Sequence, residues 1–434
     1  MSERSIRIQA LTRVEGEGAL HVRLKDGRVE TVELNIYEPP RMFEAFLRGR
    51  PLEEVPDVTA RICGICPVAY QMSSVHALED ALGVTVSPEI RALRRLIYCG
   101  EWIESHGLHV HLLHAPDFLG YPSGLEMARD HPDAFRRGME LKKAGNELLA
   151  TFGGRAIHPV NVAVGGFYRA PRRDRVVELI PHFERNLQAA VETARWVAGF
   201  DFPDFAPACE MVALTHPDEY PMNEGTIAST DGRSTPVDRF EEEFVERQVP
   251  HSTALQAVRV DGGTSYLTGP LARVNLNLDR LSPTARRLAG EVGVDWPCFN
   301  PFRSIVARCL EVVHAYEEAL GILRNYTPPR PSRIAYEPRA GEGRAATEAP
   351  RGLLYHRYRT DADGKIAAAQ IVPPTSQNQG QIERDLAEFL PGILAAENGT
   401  DDAAVAHDCE RLVRSYDPCI SCATHFLRLE LDRG

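Results

Sequence analysis

The stretch RICGICPVAYQMSSVH, residues 61–76, sets Cys63 and Cys66 three positions apart, and a second pair, Cys419 and Cys422 in DPCISC, stands near the other end of the chain. Two CxxC units supply four soft thiolates, a ligand set that nickel, iron and zinc all accept. Three readings compete. A thioredoxin-like redox pair needs a βαβ setting, and none is legible around Cys63. A structural zinc site closes a small module, so its two pairs usually lie close in sequence. Here the pairs are separated by most of the chain, and a shared site would tie the two ends of the fold together. The third reading is a catalytic four-thiolate metal centre built late in folding. Spacing alone leaves structural zinc and a catalytic centre both open.

Composition narrows the class. The chain has 434 residues, enough for a substantial core, with 43% hydrophobic and 25% charged residues, as in ordinary globular proteins. A net charge of −12 argues against nucleic-acid binding, which wants a basic face. No apolar run reaches the length of a membrane span, and MSERSIRIQA at the start carries neither an apolar signal core nor a twin arginine. A cytoplasmic location is expected. Nine cysteines, an odd count, do not suggest a disulfide framework. Cys99 and Cys309 fall within helical apolar patterns and read as buried small hydrophobes.

Residues 5–38 alternate apolar and polar side chains around the turn signal Asp26-Gly27, which reads as a small antiparallel sheet. Helical periodicity then predicts helices over 88–113, 134–150, 174–199 and 301–325. Residues 220–270 read as strands and loops. Residues 326–349 are rich in Pro, Gly and Arg and read as a linker or a functional loop. Shorter helices at 380–395 and 401–416 lead to the second cysteine pair. No repeat is present. The expected class is mainly α with peripheral β (α+β). It is one domain over 1–434, with a central bundle of long helices, small antiparallel sheets and a metal site formed by the two CxxC motifs.

The flanks of the cysteines go further. RICGIC followed by DPCISCATH resembles the large subunit of [NiFe]-hydrogenases, and the resemblance covers nearly the whole chain. LTRVEGEG (11–18), RMFEAFLRGR (41–50), SHGLHVHLLHAPDF (105–118), HPVNVAVGG (158–166), EAPRGLLYH (348–356) and IVPPTSQN (371–378) match that family's segments in order. One departure is informative. Many members carry a His four residues after the second cysteine, where this chain has Tyr70. With PVAYQMSSVHALE, this resembles the cytoplasmic multi-subunit branch, which couples hydrogen to nicotinamide cofactors or sulfur.

The resemblance implies a role for each matched residue. Cys63, Cys66, Cys419 and Cys422 would bind nickel, with Cys66 and Cys422 bridging to an iron that carries CO and cyanide. Glu15, beside the terminal thiolate Cys419, would carry protons. Arg351, after Pro350 in EAPRG, would stand over the open metal position, with Asp117 and Asp417 holding its guanidinium. Thr375 would hydrogen-bond a cyanide nitrogen. Glu44, the carbonyl of Ile371 and His425 would hold a magnesium or iron ion near the C-terminus. Read alone, Glu15 is a solvated strand charge, APDF and DPC are turns, and PPTS is a turn.

No further cysteine cluster suits an iron–sulfur centre, and no GxGxxG fingerprint follows a strand; GEGR (341–344) lacks the pattern. Electrons would therefore leave through an Fe–S small subunit, and any flavin or NAD(P) site would lie on further partner subunits. The resemblance also implies nickel-insertion proteins and a maturation protease. The protease is expected to trim the chain after His425, although FLRLELDRG (426–434) is short and alternates like a strand. Two alternatives remain. A nickel-free relative in a quinone-reducing complex should lack the four cysteines. A structural zinc scaffold gives no reason for Glu15, Arg351 and His425 in these contexts.

Overall fold

Alternation makes the N-terminal segment a meander. Glu3–Ile8, Gly18–Lys25 and Arg28–Ile36 form a three-stranded antiparallel sheet, turned at Asp26 and Gly27, which both have positive φ. The apolar set Ile6, Leu20, Val22, Leu24 and Leu34 faces the core, as a period of two requires. The computed structural model describes residues 3–396 and 399–424.

Long helices follow. Pro88–Leu108 starts on Ser87, whose side chain accepts from the Ile90 N–H, with Pro88 at the first turn. It runs directly into a π-helical turn, His109–His114, and then Ala115–Leu119, which Gly120 ends in the left-handed region. Single π turns recur at functional sites. Pro132–Gly153 and Ser304–Arg324 match the expected periodicity. The helix expected over 174–199 is two, Arg173–Val177 and Ile180–Ala198. Pro181, which has no N–H, sits in the first turn of the second and restarts the ladder. The helix expected from 380 begins earlier, as Pro374–Ala395, and Asp402–Ser415 follows it. Pro67–Leu82 has no sequence-level prediction behind it because it is buried on nearly every face, which erases the amphipathic period.

The segment 326–349 is only half a loop. Gly341–Ala349 is a strand, paired antiparallel with Gly352–Thr360, which pairs in turn with Ile366–Val372. Ala349 stands opposite Gly352, so Pro350 and Arg351 are the two residues of a hairpin turn. Gly352 has φ 137°, and a Cβ there would lie 2.2 Å from the Thr268 hydroxyl, so only glycine lets this turn close against its neighbour. Between 220 and 270 the expected strands appear as Thr226–Ser229, Ser234–Thr235, Phe244–Gln248 and Leu255–Arg259. One hydrophobic cluster runs from Ile6 to Cys422, and Cys99 and Cys309 are buried in it.

Pro88–Leu108 and Pro132–Gly153 cross closely at Gly100 and Gly145. A Cβ on Gly145 would meet the Gly100 carbonyl oxygen at 2.6 Å. Gly145→Ala should force the helices apart and cost about 1–3 kcal/mol. Denaturant unfolding of the purified protein measures it.

Candidate metal centre

The first cysteine pair sits in the turn between Val55–Ala60 and Pro67–Leu82; of the second, Cys419 is the N-cap of the short helix Ile420–Ala423 that follows Asp402–Ser415, and Cys422 lies within that helix. Tertiary structure brings them together in the core. All four sulfurs lie within 4.8 Å of one another, buried, and none is in a disulfide. Cys63 Sγ is 3.6 Å from Cys419 Sγ, and Cys66 Sγ is 3.8 Å from Cys422 Sγ. Thiolates about 2.3 Å from a shared tetrahedral metal stand about 3.8 Å apart, so these spacings fit a common ion. The Cys419–Cys422 pair is tighter, at 2.8 Å. The N–H groups of Ile65 and Cys66 donate to Cys63 Sγ at 3.3 and 3.2 Å, which favours a thiolate there. Burial pushes the Cys66, Cys419 and Cys422 thiols up. Burial acts the same way on Cys63, but hydrogen bonds from the other three, and Arg351, outweigh it and hold Cys63 low. Four buried sulfurs thus share little charge until a cation takes the protons' place.

Glu15 closes one side. Its backbone oxygen accepts from Ile420 N at 2.9 Å, forming a parallel bridge between residue 15 and residue 419. Its carboxylate accepts from Ser421 N at 3.1 Å and lies 2.9 Å from Cys419 Sγ. Thr375, in the first turn of Pro374–Ala395, accepts from Cys419 N at 2.9 Å. Its hydroxyl proton stays available to another acceptor.

Arg351 projects from its hairpin turn onto the residue before the second pair. Its Nε donates to the Asp417 carbonyl at 2.9 Å and its Nη2 to the Asp417 carboxylate at 3.1 Å. Burial opposes its charge, but Asp417 and the sulfurs of Cys419, Cys66 and Cys63 win, and its pKa lies above the usual range. Arg351 Nη1 is buried without a hydrogen-bond partner among the described residues, which suits a group meant to meet a ligand. The turn itself is gripped by Arg273, which donates to the carbonyls of Ala349 at 2.8 Å and Pro350 at 2.9 Å and is bound in turn by Glu311 and Glu348. Arg273 lies in PLARVNLN, where no local signal distinguishes it from a surface arginine.

Asp117 is a correction. The sequence reading joined it to Asp417 in holding Arg351. In the structure it forms a two-point ion pair with Arg414, at 2.8 and 2.9 Å, and a further pair with Arg13. It ties the end of the histidine-rich helix to Asp402–Ser415, one element behind the turn it was expected to hold.

The second expected metal position is partly visible. Glu44 and Ile371 do meet, through the Ile371 N–H, which donates to the Glu44 carboxylate at 2.7 Å. His425 lies outside the described residues, as does the tail 426–434. Glu246, which no sequence motif marks, is also close enough to feel the charge of Glu44. Burial and then the charge of Glu44 push its carboxyl up, and its Oε1 is buried without a partner among the described residues. Two crowded carboxylates are a donor set that a hard divalent cation fits. Tyr70 lies one helical turn beyond Cys66 and is buried. Burial, then the sulfurs of Cys422, Cys66 and Cys419, raise its pKa.

Asp117 carries a pH signature. Burial raises its pKa, but the Arg414 pairing outweighs this and lowers it overall. Its stabilisation is therefore complete above about pH 4 and fades as pH falls through the lower folded value. Asp117→Asn should lose about 3 kcal/mol at neutral pH. It should also flatten the acid limb of a stability-versus-pH curve measured by denaturant unfolding.

Comparison with known proteins agrees with this geometry. The nickel-dependent hydrogenase family matches residues 41–136 and 305–425. Sulfhydrogenase 1 subunit alpha of Pyrococcus furiosus is 33% identical over 438 residues, covering 98% of this chain and 98% of that protein. The NAD-reducing hydrogenase HoxS subunit beta of Cupriavidus necator is 28% identical over 98% of this chain and 95% of its own length. A crystal structure of an NAD+-reducing [NiFe]-hydrogenase in the H2-reduced state superposes with a TM-score of 0.85 at 26% identity, over 97% of this chain and 99% of that one. With four sulfurs gathered from two CxxC motifs inside that shared fold, the chain belongs to the nickel-dependent hydrogenase family, as a large subunit.

Proposed function

We propose that this subunit catalyses H2 ⇌ 2H⁺ + 2e⁻ at a nickel–iron centre held by Cys63, Cys66, Cys419 and Cys422. The observation that carries this is the four-sulfur cluster with the Glu15 carboxylate 2.9 Å from Cys419 Sγ. Cys66 and Cys422 would hold the iron as well as the nickel, Cys63 and Cys419 would hold the nickel alone, and the iron would carry CO and cyanide. The metal pair, when bound, supplies the place where H2 binds and gives up its electron pair. The protein supplies the rest. Cys419 sulfur takes the proton and hands it to Glu15, which lies on the partly exposed N-terminal segment. Arg351, fixed by Asp417, offers Nη1 to position H2 or a cyanide. Thr375 would donate a hydrogen bond from its hydroxyl to a cyanide nitrogen. Glu44, the Ile371 carbonyl and His425 would hold a magnesium or iron ion.

Electrons leave through an Fe–S small subunit. Flavin subunits that reduce NAD(P) complete a cytoplasmic complex. Two similarities support that acceptor: to a subunit of the NAD-reducing HoxS enzyme and to the structure of an NAD+-reducing one. Among the described residues no helix is long and apolar enough to cross a membrane.

The purified complex should contain about one nickel per chain, the stoichiometry that a single four-thiolate site sets. Infrared bands from bound CO and cyanide should accompany it. An active preparation with zinc and no nickel would overturn the assignment. Glu15→Gln keeps shape and removes the titrating group. H2/D⁺ exchange should fall by about a hundredfold or more with metals retained. Exchange at the wild-type rate would exclude Glu15 as the required carrier. Arg351→Lys keeps charge but loses the planar fork, and turnover should drop about a hundredfold at unchanged nickel content.

A further inference from the structure

The helix that begins at Pro67 has an unusual start. A helix leaves its first N–H groups without internal partners, and a Ser, Thr, Asp or Asn at the N-cap commonly satisfies one. Here the N-cap is Cys66 itself, with φ −116° and ψ 42°, and its side chain makes no capping bond. It cannot serve as a cap, because its sulfur points to Cys422. Every orphan donor is nevertheless accounted for. Cys66 N–H goes to Cys63 sulfur at 3.2 Å, and Pro67 has no N–H. The Val68 and Ala69 N–H groups both donate to Glu101, at 2.6 Å to Oε2 and 3.0 Å to Oε1.

Glu101 comes from the middle of Pro88–Leu108 and is 0% exposed. It is therefore a remote cap, delivered by tertiary packing to a helix whose own N-cap residue is reserved for metal. We propose that Glu101 is the positioning residue for the Cys66 thiolate. By capping the first turn from outside, it sets the orientation of the CxxC turn and frees the cysteine to act as a ligand. The inference rests on the reading of Cys66 as a metal ligand given above.

The geometry requires two acceptor oxygens, and a carboxyl group carries lone pairs on both towards the two converging N–H donors. Burial outweighs the two amide donors, and with the charges of Cys63 and Glu104 it holds the Glu101 carboxyl well above the usual carboxylate range. Glutamine offers one acceptor and turns an NH2 towards the second N–H, which is then left unpaired in the core. The neighbouring Glu104 supplies a control. It is also buried on this helix, but its carboxylate accepts from Lys142 at 2.6 Å, and it feels Cys63 only through its charge and not through a hydrogen bond to the CxxC turn among the described residues.

The test uses the assembled holoenzyme and two readouts besides activity. Amide hydrogen exchange of the peptide covering Val68–Tyr70 reports the cap. The nickel paramagnetic resonance spectrum reports the ligand geometry. In Glu101→Gln the peptide should exchange at least about tenfold faster and the nickel g-values should shift, the tenfold following from one lost buried hydrogen bond. Glu104→Gln should lower the melting temperature without either change. Wild-type exchange and a wild-type nickel spectrum in Glu101→Gln would overturn the proposal. If Glu101→Gln does not assemble, Glu101→Asp is measured instead. Its shorter carboxylate reaches fewer of the two amides, so the same two shifts are expected and their absence is equally decisive. A wild-type enzyme without nickel would instead defeat the functional reading, while the exchange measurement would still decide the cap.

Discussion

The whole structure answers to one requirement: sulfurs 356 positions apart in sequence must meet within 4.8 Å in a dry core. Four buried sulfurs repel one another as thiolates and are costly as unpaired groups. Their meeting has to be enforced by everything around them. The N-terminal segment is pinned to the C-terminal one by the backbone bridge between Glu15 and Cys419, and Arg41 ties in again through Thr424. The segments around Glu15 and around Cys419 are thus parts of one site, and the site cannot form until the intervening chain has folded.

Buried charge pairs do much of the enforcing. Arg273 with Glu311 and Glu348, Arg351 with Asp417, and Arg414 with Asp117 are all nearly sealed from solvent. Such pairs repay their desolvation only when the geometry is good and the remaining donors are used. Here most of the remaining donors are used on backbone, Arg351 Nη1 excepted. Arg273 grips the carbonyls of Ala349 and Pro350, and Arg351 grips that of Asp417. Each arginine fixes a turn that carries, or neighbours, a group of the metal centre. Burial separates the partners' protonation. Glu311 is held down to about 2 by Arg273 and His106 against its burial, while burial pushes Glu348 up to about 7 despite Arg273.

Asp117 shows how a correct motif can carry a mistaken contact. APDF was matched in its proper place, and the side chain is buried and paired with arginine. The arginine is Arg414, one helix removed from the turn that holds Arg351. A motif gives the order of residues along the chain. Which of several buried arginines a carboxylate meets depends on helix rotation and crossing, which sequence patterns do not encode.

The sequence by itself determined the two cysteine pairs, the order of the flanking motifs, the N-terminal meander and most of the long helices. These follow from local causes: residue type, a period of two or 3.6, and turn residues at fixed offsets. Pro67–Leu82, buried on nearly all sides, carried no period to read. The strand Gly341–Ala349 was hidden in a composition that also suits a loop. Tertiary structure alone decided that Pro350 and Arg351 form a hairpin turn, that Arg273 grips it, and that Glu101 caps a helix 32 residues away. Those are contacts between surfaces that meet only after the helices pack. Their specificity lies in the angle and depth of packing, which no stretch of sequence carries alone.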